Sequence, residues 1–216
     1  MQTIPRKTSP RRIGLILLLG ALSINALIGY KIFNMPQPAP DTLQTSGQNI
    51  IQAELKIISN SAFGRSKRGQ IIITEIQRLL DEDQIIFSSD LNGPRGLTCT
   101  PLFGPKRIYI KVLEMNHGKF LHQLPWQLSE ALFHEAVHSL NKSFHGNSIE
   151  EECDAFMAGA FAESVSRNIT PPTILQMDGI PIIRFVKQSY PAISHNPRYQ
   201  PIGITLEQLK QRTGLK

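Results

Sequence analysis

Two histidines four residues apart with a glutamate between them, His134-Glu135-Ala136-Val137-His138, are the residues of this chain whose types and spacing point most directly to chemistry. On a helix, side chains at i and i+4 share a face, so both imidazoles could be aimed at one ion. Glu135 lies about 100° around the helix from His134, placed to hold a water beside that ion without ligating it. Leu132, Phe133, Ala136, Val137 and Leu140 supply an apolar stripe that would seat the helix in a core. Glu130, His134, His138 and Asn141 run along its border. An ordinary amphipathic helix could carry the same nine residues, so the argument turns on whether a third ligand exists.

Ten residues past His138, the run Ser148-Ile149-Glu150-Glu151-Glu152-Cys153-Asp154 announces a second helix, with Glu150 twelve residues past that histidine. Ser148 with Glu151 three residues on has the form of a capping box, which commits Glu151 to the helix start. Glu150 and Asp154 are four apart and share a face. Glu150 is therefore expected as the third ligand and Asp154 as the acceptor of a ligand histidine's N–H, while Glu152 is expected to project elsewhere. Acidic residues are also favoured at any helix N-terminus by the positive end of its dipole, so the glutamates alone would not argue for a metal.

Together, His134-Glu135-Ala136-Val137-His138 and the downstream Glu150-to-Asp154 E-x-x-x-D resemble the zincin metallopeptidases, specifically the gluzincin branch, over residues 129–159. The resemblance implies Zn2+ held by His134, His138 and Glu150, with Glu135 as general base and a peptide or protein as substrate. It implies an open zinc position where a water with its pKa lowered toward 7 is deprotonated by Glu135 and attacks a peptide carbonyl. An oxyanion donor should come from downstream, where Tyr190, His195, Arg198 and Tyr199 are candidates. By position, the strand Arg107 to Leu113 corresponds to the edge strand on which zincins align an extended substrate. A variant of the same chemistry, the metzincin pattern HExxHxxGxxH, would place Asn141 at the glycine and Phe144 at the third histidine. His145, one residue late, is the alternative third ligand. A zinc-binding but non-catalytic, membrane-anchored interaction module is the competing function, and Glu135 argues against it because a purely structural site has no use for a base.

The elements that must position these residues fit in one domain. A chain of 216 residues, 41% hydrophobic, can bury a single substantial core. Its net charge of +6 is misleading, because Arg6, Lys7, Arg11, Arg12 and Lys31 lie in an acid-free leader and setting them aside leaves 18 basic residues against 17 acidic. With no basic stripe interleaved with aromatics, nucleic acid is not an expected partner. Residues 13–30 carry no charge and, as a helix, would span roughly 27 Å, close to the hydrocarbon thickness of a bilayer. Residues 1–34 are accordingly expected to be a signal anchor or transmembrane helix with the N-terminus in the cytoplasm and the main domain periplasmic or extracellular. Cleavage near Ala21-Leu22-Ser23 would secrete the domain instead. Residues 35–47, rich in Pro, Ser, Thr and Gln, read as a linker, and 48–216 as a compact zincin-like domain of α+β class. Helical spacing predicts helices over 49–59 and 69–82, and β-prone runs near 84–113 predict a small antiparallel sheet packed on the active-site helix. Cys99 and Cys153 could form one disulfide in a translocated domain or serve as small buried hydrophobes.

Overall fold

The computed structural model describes residues 36–91, 95–99, 104–115, 119–141, 148–177 and 179–215. The expected anchor over 1–34 and the alternative ligand His145 lie outside these residues. Among the described residues no helix is long and apolar enough to cross a membrane.

The architecture is mixed α+β. Helix α1 (Asp41–Ser59) is followed by the single turn α2 (Ala62–Arg65) and by α3 (Lys67–Asp81). Three strands come next, β1 (Ile85–Ser88), β2 (Gly96–Cys99) and β3 (Arg107–Lys111), then the paired strands β4 (Leu113–Met115) and β5 (Lys119–Leu121). The two long central helices are α4 (Pro125–Leu140) and α5 (Ile149–Ser166). The C-terminal part holds β6 (Gln176–Met177), β7 (Ile180–Pro181), α6 (Ile182–Ser189) and α7 (Leu206–Thr213).

Helix boundaries follow local chemistry. Ser66 accepts a hydrogen bond from Gly69 N (3.1 Å) and starts α3, and Ser148 accepts one from Glu151 N (3.2 Å) and starts α5. Pro125 occupies the first turn of α4, where its missing N–H is no loss. Residues 41–47, read from composition as linker, instead form the first two turns of α1. They are held there because Ala39 N donates to Phe87 O (2.7 Å) and the Gln44 amide bridges Ala39 O and Phe87 O, tertiary bonds that composition cannot report.

The expected antiparallel sheet is mixed. Its order is β1-β3-β2, with β1 parallel to β3 (Ile85 opposite Ile108) and β2 antiparallel to β3 (Leu97 opposite Tyr109). The strand Arg107–Lys111, anticipated at the edge, is therefore central, and Ile108, Tyr109 and Ile110 are all buried. The edge strand beside α4 is β2.

One core joins Ile51, Leu55 and Ile58 of α1, Ile72, Ile76 and Leu79 of α3, the β1 and β3 side chains, and α4. Helix α4 is buried from Leu128 through Ser139, and α5 is buried along most of its length, so both run through the interior. Helix α5 presents Ala155, Ala158 and Ala162 to this core and Cys153, Phe156 and Met157 to a second cluster with Leu175, Ile182, Val186 and Leu209. Cys99 and Cys153 carry thiols and share no disulfide.

The small side chains on α5 let its backbone approach α4. A Cβ built on Gly159 would lie 2.7 Å from the Glu130 carbonyl oxygen and 3.3 Å from Glu130 Cγ. We expect Gly159→Val to force the two helices apart, destabilising the fold by about 1–3 kcal/mol in denaturant titration. Stability equal to that of the parent chain would show that the approach tolerates a side chain.

Candidate metal centre

Helix α4 places His134 and His138 one turn apart, with Nε2 of one 3.2 Å from Nε2 of the other. Across from them α5 brings Glu152, whose carboxylate oxygens lie 3.6 Å from His134 Nε2 and 3.6 Å from His138 Nε2. His134, His138 and Glu152 form a group that could hold a metal ion. Bonds of about 2.0–2.1 Å at tetrahedral angles put neighbouring ligand atoms roughly 3.3 Å apart; the two Nε2 atoms match this at 3.2 Å, and each imidazole has a different Glu152 oxygen at 3.6 Å. Two imidazole nitrogens and one carboxylate oxygen suit a borderline cation such as zinc and fall short of the six or more oxygens that calcium takes.

The protonation of the ligands is set by their neighbours. His138 Nδ1 lies 2.8 Å from Glu151 Oε1. A carboxylate can only accept, so Nδ1 carries the proton and Nε2 presents its lone pair to the centre. Asn141 Nδ2 donates to the other Glu151 oxygen and fixes the carboxylate. Burial, reinforced by the adjacent His138, holds His134 well below the usual histidine range and so keeps it neutral, as a ligand must be. Burial pulls His138 in the same direction, but the Glu151 hydrogen bond and the charges of Glu152 and Glu135 outweigh it and raise the ring overall.

Glu135 sits beside this group against the edge strand. A Cβ on Gly96 would fall 2.8 Å from Glu135 Cγ, so only glycine leaves room for this side chain. Thr98 Oγ1 donates to the Glu135 carbonyl (2.9 Å), tying β2 to α4. Burial pushes the Glu135 carboxyl up, opposed by His138 and by Thr98, toward the range in which a carboxylate is a stronger base.

The expected third ligand is elsewhere. Glu150 accepts from His195 Nδ1 (2.9 Å) and Asn196 N (2.7 Å), which hold its pKa down despite burial. Asp154, expected to support a ligand histidine, is fully buried and accepts instead from Arg68 Nη1 (2.6 Å), Tyr199 Oη (2.8 Å) and Ile202 N (2.9 Å). Glu150 and Asp154 do share a face, but that face meets the C-terminal tail. Glu152 is about 200° around from Glu150 and falls on the side of α4. The signal was present in the sequence: Ala155, Ala158, Gly159 and Ala162 mark the face that packs closest to another helix, and Glu151 and Glu152 head that face. Among the candidate oxyanion donors, Tyr199 and His195 are engaged with Asp154 and Glu150. Tyr190, at the end of α6, is pushed up to about 12 by burial and then by the charges of Glu152 and Glu135, which places its hydroxyl in their field.

Lys106 closes the far end of α4, its Nζ donating to the carbonyls of His138 (3.3 Å), Ser139 (2.8 Å) and Asn141. These are carbonyls that a helix C-terminus leaves without partners, and the ammonium also meets the negative end of the dipole.

Comparison with protein-family models, with curated proteins and with solved structures finds no match to this chain.

If zinc fills this centre, Glu152→Gln is expected to lower it well below one equivalent, while Glu150→Gln leaves it near one. Glu151→Gln should weaken zinc affinity about 10–100-fold by releasing His138. Metal analysis and a chelator competition titration distinguish these cases; zinc lost from Glu150→Gln but kept by Glu152→Gln would reverse the assignment.

Proposed function

We propose that this chain is a zinc-dependent metallopeptidase, with its domain held outside the cytoplasm by the apolar segment at residues 13–30. The observation that carries the proposal is the juxtaposition of two imidazoles and the Glu152 carboxylate at metal-ligand spacing with a buried Glu135 beside them. His134 Nε2, His138 Nε2 and a Glu152 oxygen would hold the zinc ion. Bound zinc supplies Lewis acidity, polarising a peptide carbonyl and lowering the pKa of water toward 7.

Glu135 takes a proton from water onto its carboxylate and passes it to the departing amine nitrogen, a role suited to its raised pKa. Gly96 leaves the room this side chain occupies, and Thr98 ties β2 to the backbone of the helix that carries it. The Tyr190 hydroxyl is the donor assigned to the oxyanion, because it feels the charges of both Glu135 and Glu152 and remains 36% exposed, open to a substrate.

An extended peptide fits the outer edge of β2. Lys111 N donates to Arg95 O, and in the antiparallel register this turns the main-chain groups of Leu97 and Cys99 toward β3 and those of Gly96 and Thr98 outward. No strand among the described residues pairs with that edge. A substrate added there would lie alongside Glu135.

Three variants test the reading on a peptide or casein substrate. Glu135→Gln should keep stoichiometric zinc and lose roughly 10²–10⁴ of the cleavage rate. Gly96→Val should reproduce that loss by displacing Glu135, again with zinc retained. Tyr190→Phe should lower kcat by about 10²–10³ with little change in zinc content. Undiminished proteolysis in Glu135→Gln would overturn the mechanism. Zinc binding with no hydrolysis by the parent chain would favour the non-catalytic zinc module.

A further inference from the structure

A cleft of about 640 Å³ lies apart from the histidine cluster, within the range of roughly 300–1,000 Å³ typical of small-molecule sites. Its apolar lining comes from three places: Phe63 on α2, Met157, Phe161 and Val165 on α5, and Ile204 before α7. Phe63 and Phe161 stack with ring centroids 5.4 Å apart, 17° from parallel. None of the candidate metal ligands lines this cleft.

The charge on its rim has one sign. Lys67, Arg68 and Arg212 line the cleft, and no aspartate or glutamate does. The first turn of α3, which contributes Lys67 and Arg68, also lacks an acidic residue, so the positive end of that helix dipole is uncompensated there. Arg212 lies over the Phe161 ring at 5.7 Å, and its other contacts are long ones of 3.4 Å to the carbonyls of Pro172 and Thr173.

Arg68 is committed to the protein and is not a free cation of this rim. Its side chain is only 4% exposed; Nη1 and Nη2 are used by Asp154 and the Ile202 carbonyl, yet its buried Nε has no hydrogen-bond partner. The cations open to the cleft are Lys67, which is exposed, and Arg212, which is half-buried, and an acid placed in the cleft would give both a partner. We infer that this cleft binds a single-chain fatty-acid carboxylate, its hydrocarbon tail along Phe63, Phe161 and Val165 and its head group at Lys67 and Arg212 on the rim. An acyl tail matches the aromatic and aliphatic side chains of the lining, Ser66, Gln208 and Gln211 being its uncharged polar members, and a compact anion matches the rim.

The test is photolabelling of the full-length chain with a diazirine-bearing dodecanoate, followed by peptide mass spectrometry. Label is expected on the peptides containing Phe63 and Met157 to Val165, displaced by excess dodecanoate but not by 1-dodecanol. Lys67→Glu and Arg212→Gln, both at the rim, should each reduce labelling at least tenfold; Val165→Trp should do so by filling the cleft. Labelling confined to other parts of the chain, equal displacement by dodecanol, or labelling unchanged in both rim variants would overturn the inference. Because the readout is the site of labelling and involves no proteolysis, its failure leaves the metallopeptidase proposal untouched, and the converse holds.

Discussion

The distance between α4 and α5 governs the rest of the molecule. Gly159 lies against the Glu130 carbonyl, and alanines at 155, 158 and 162 extend the same narrow seam, so the two backbones meet without large side chains between them. That close packing sets Glu152 on one helix 3.6 Å from the imidazoles on the other. The sheet and α3 press α4 from one side, and the second hydrophobic cluster presses α5 from the other, which keeps the seam closed.

Charge follows from this packing. Five carboxylates of the two helices, Glu130, Glu135, Glu150, Glu151 and Glu152, are buried, together with Asp154. Buried carboxylates need partners, and three of these six find them on elements remote in sequence: Arg95 for Glu130, His195 and Asn196 for Glu150, Arg68 and Tyr199 for Asp154. The C-terminal tail thus serves as a set of polar clamps on the back of α5. Its pairing with Glu150 and Asp154 leaves Glu151 and Glu152 to face α4.

The sequence allowed the two central helices, their caps and the histidine pair to be located, because each rests on local rules. Ser148 caps α5 and Pro125 opens α4 where the spacing of types indicates. The α+β class was legible for the same reason. Less legible was which face of α5 meets α4, since the E-x-x-x-D spacing of Glu150 and Asp154 is satisfied equally by a tail that the sequence does not place. The stripe of small residues was the better guide, as it reports a close helix contact and not a resemblance. Strand order escaped for a different reason: alternation in Arg107–Lys111 shows that a strand exists, but the parallel pairing of β1 with β3 depends on a crossover between them that no local pattern encodes. The start of α1 was missed because Gln44 and Ala39 are held by Phe87, more than forty residues away.

Three consecutive glutamates in the first turn of α5 point in three directions and do three things: Glu150 binds the tail, Glu151 orients His138, and Glu152 faces the imidazoles. Their division of labour is fixed by helical phase alone, since the side chains are chemically identical. Inserting or deleting one residue within that turn would rotate the assignment by about 100° and hand each glutamate its neighbour's task. Length variation between the two helices is therefore tolerable only before Ser148, and the turn that follows behaves as an indivisible unit.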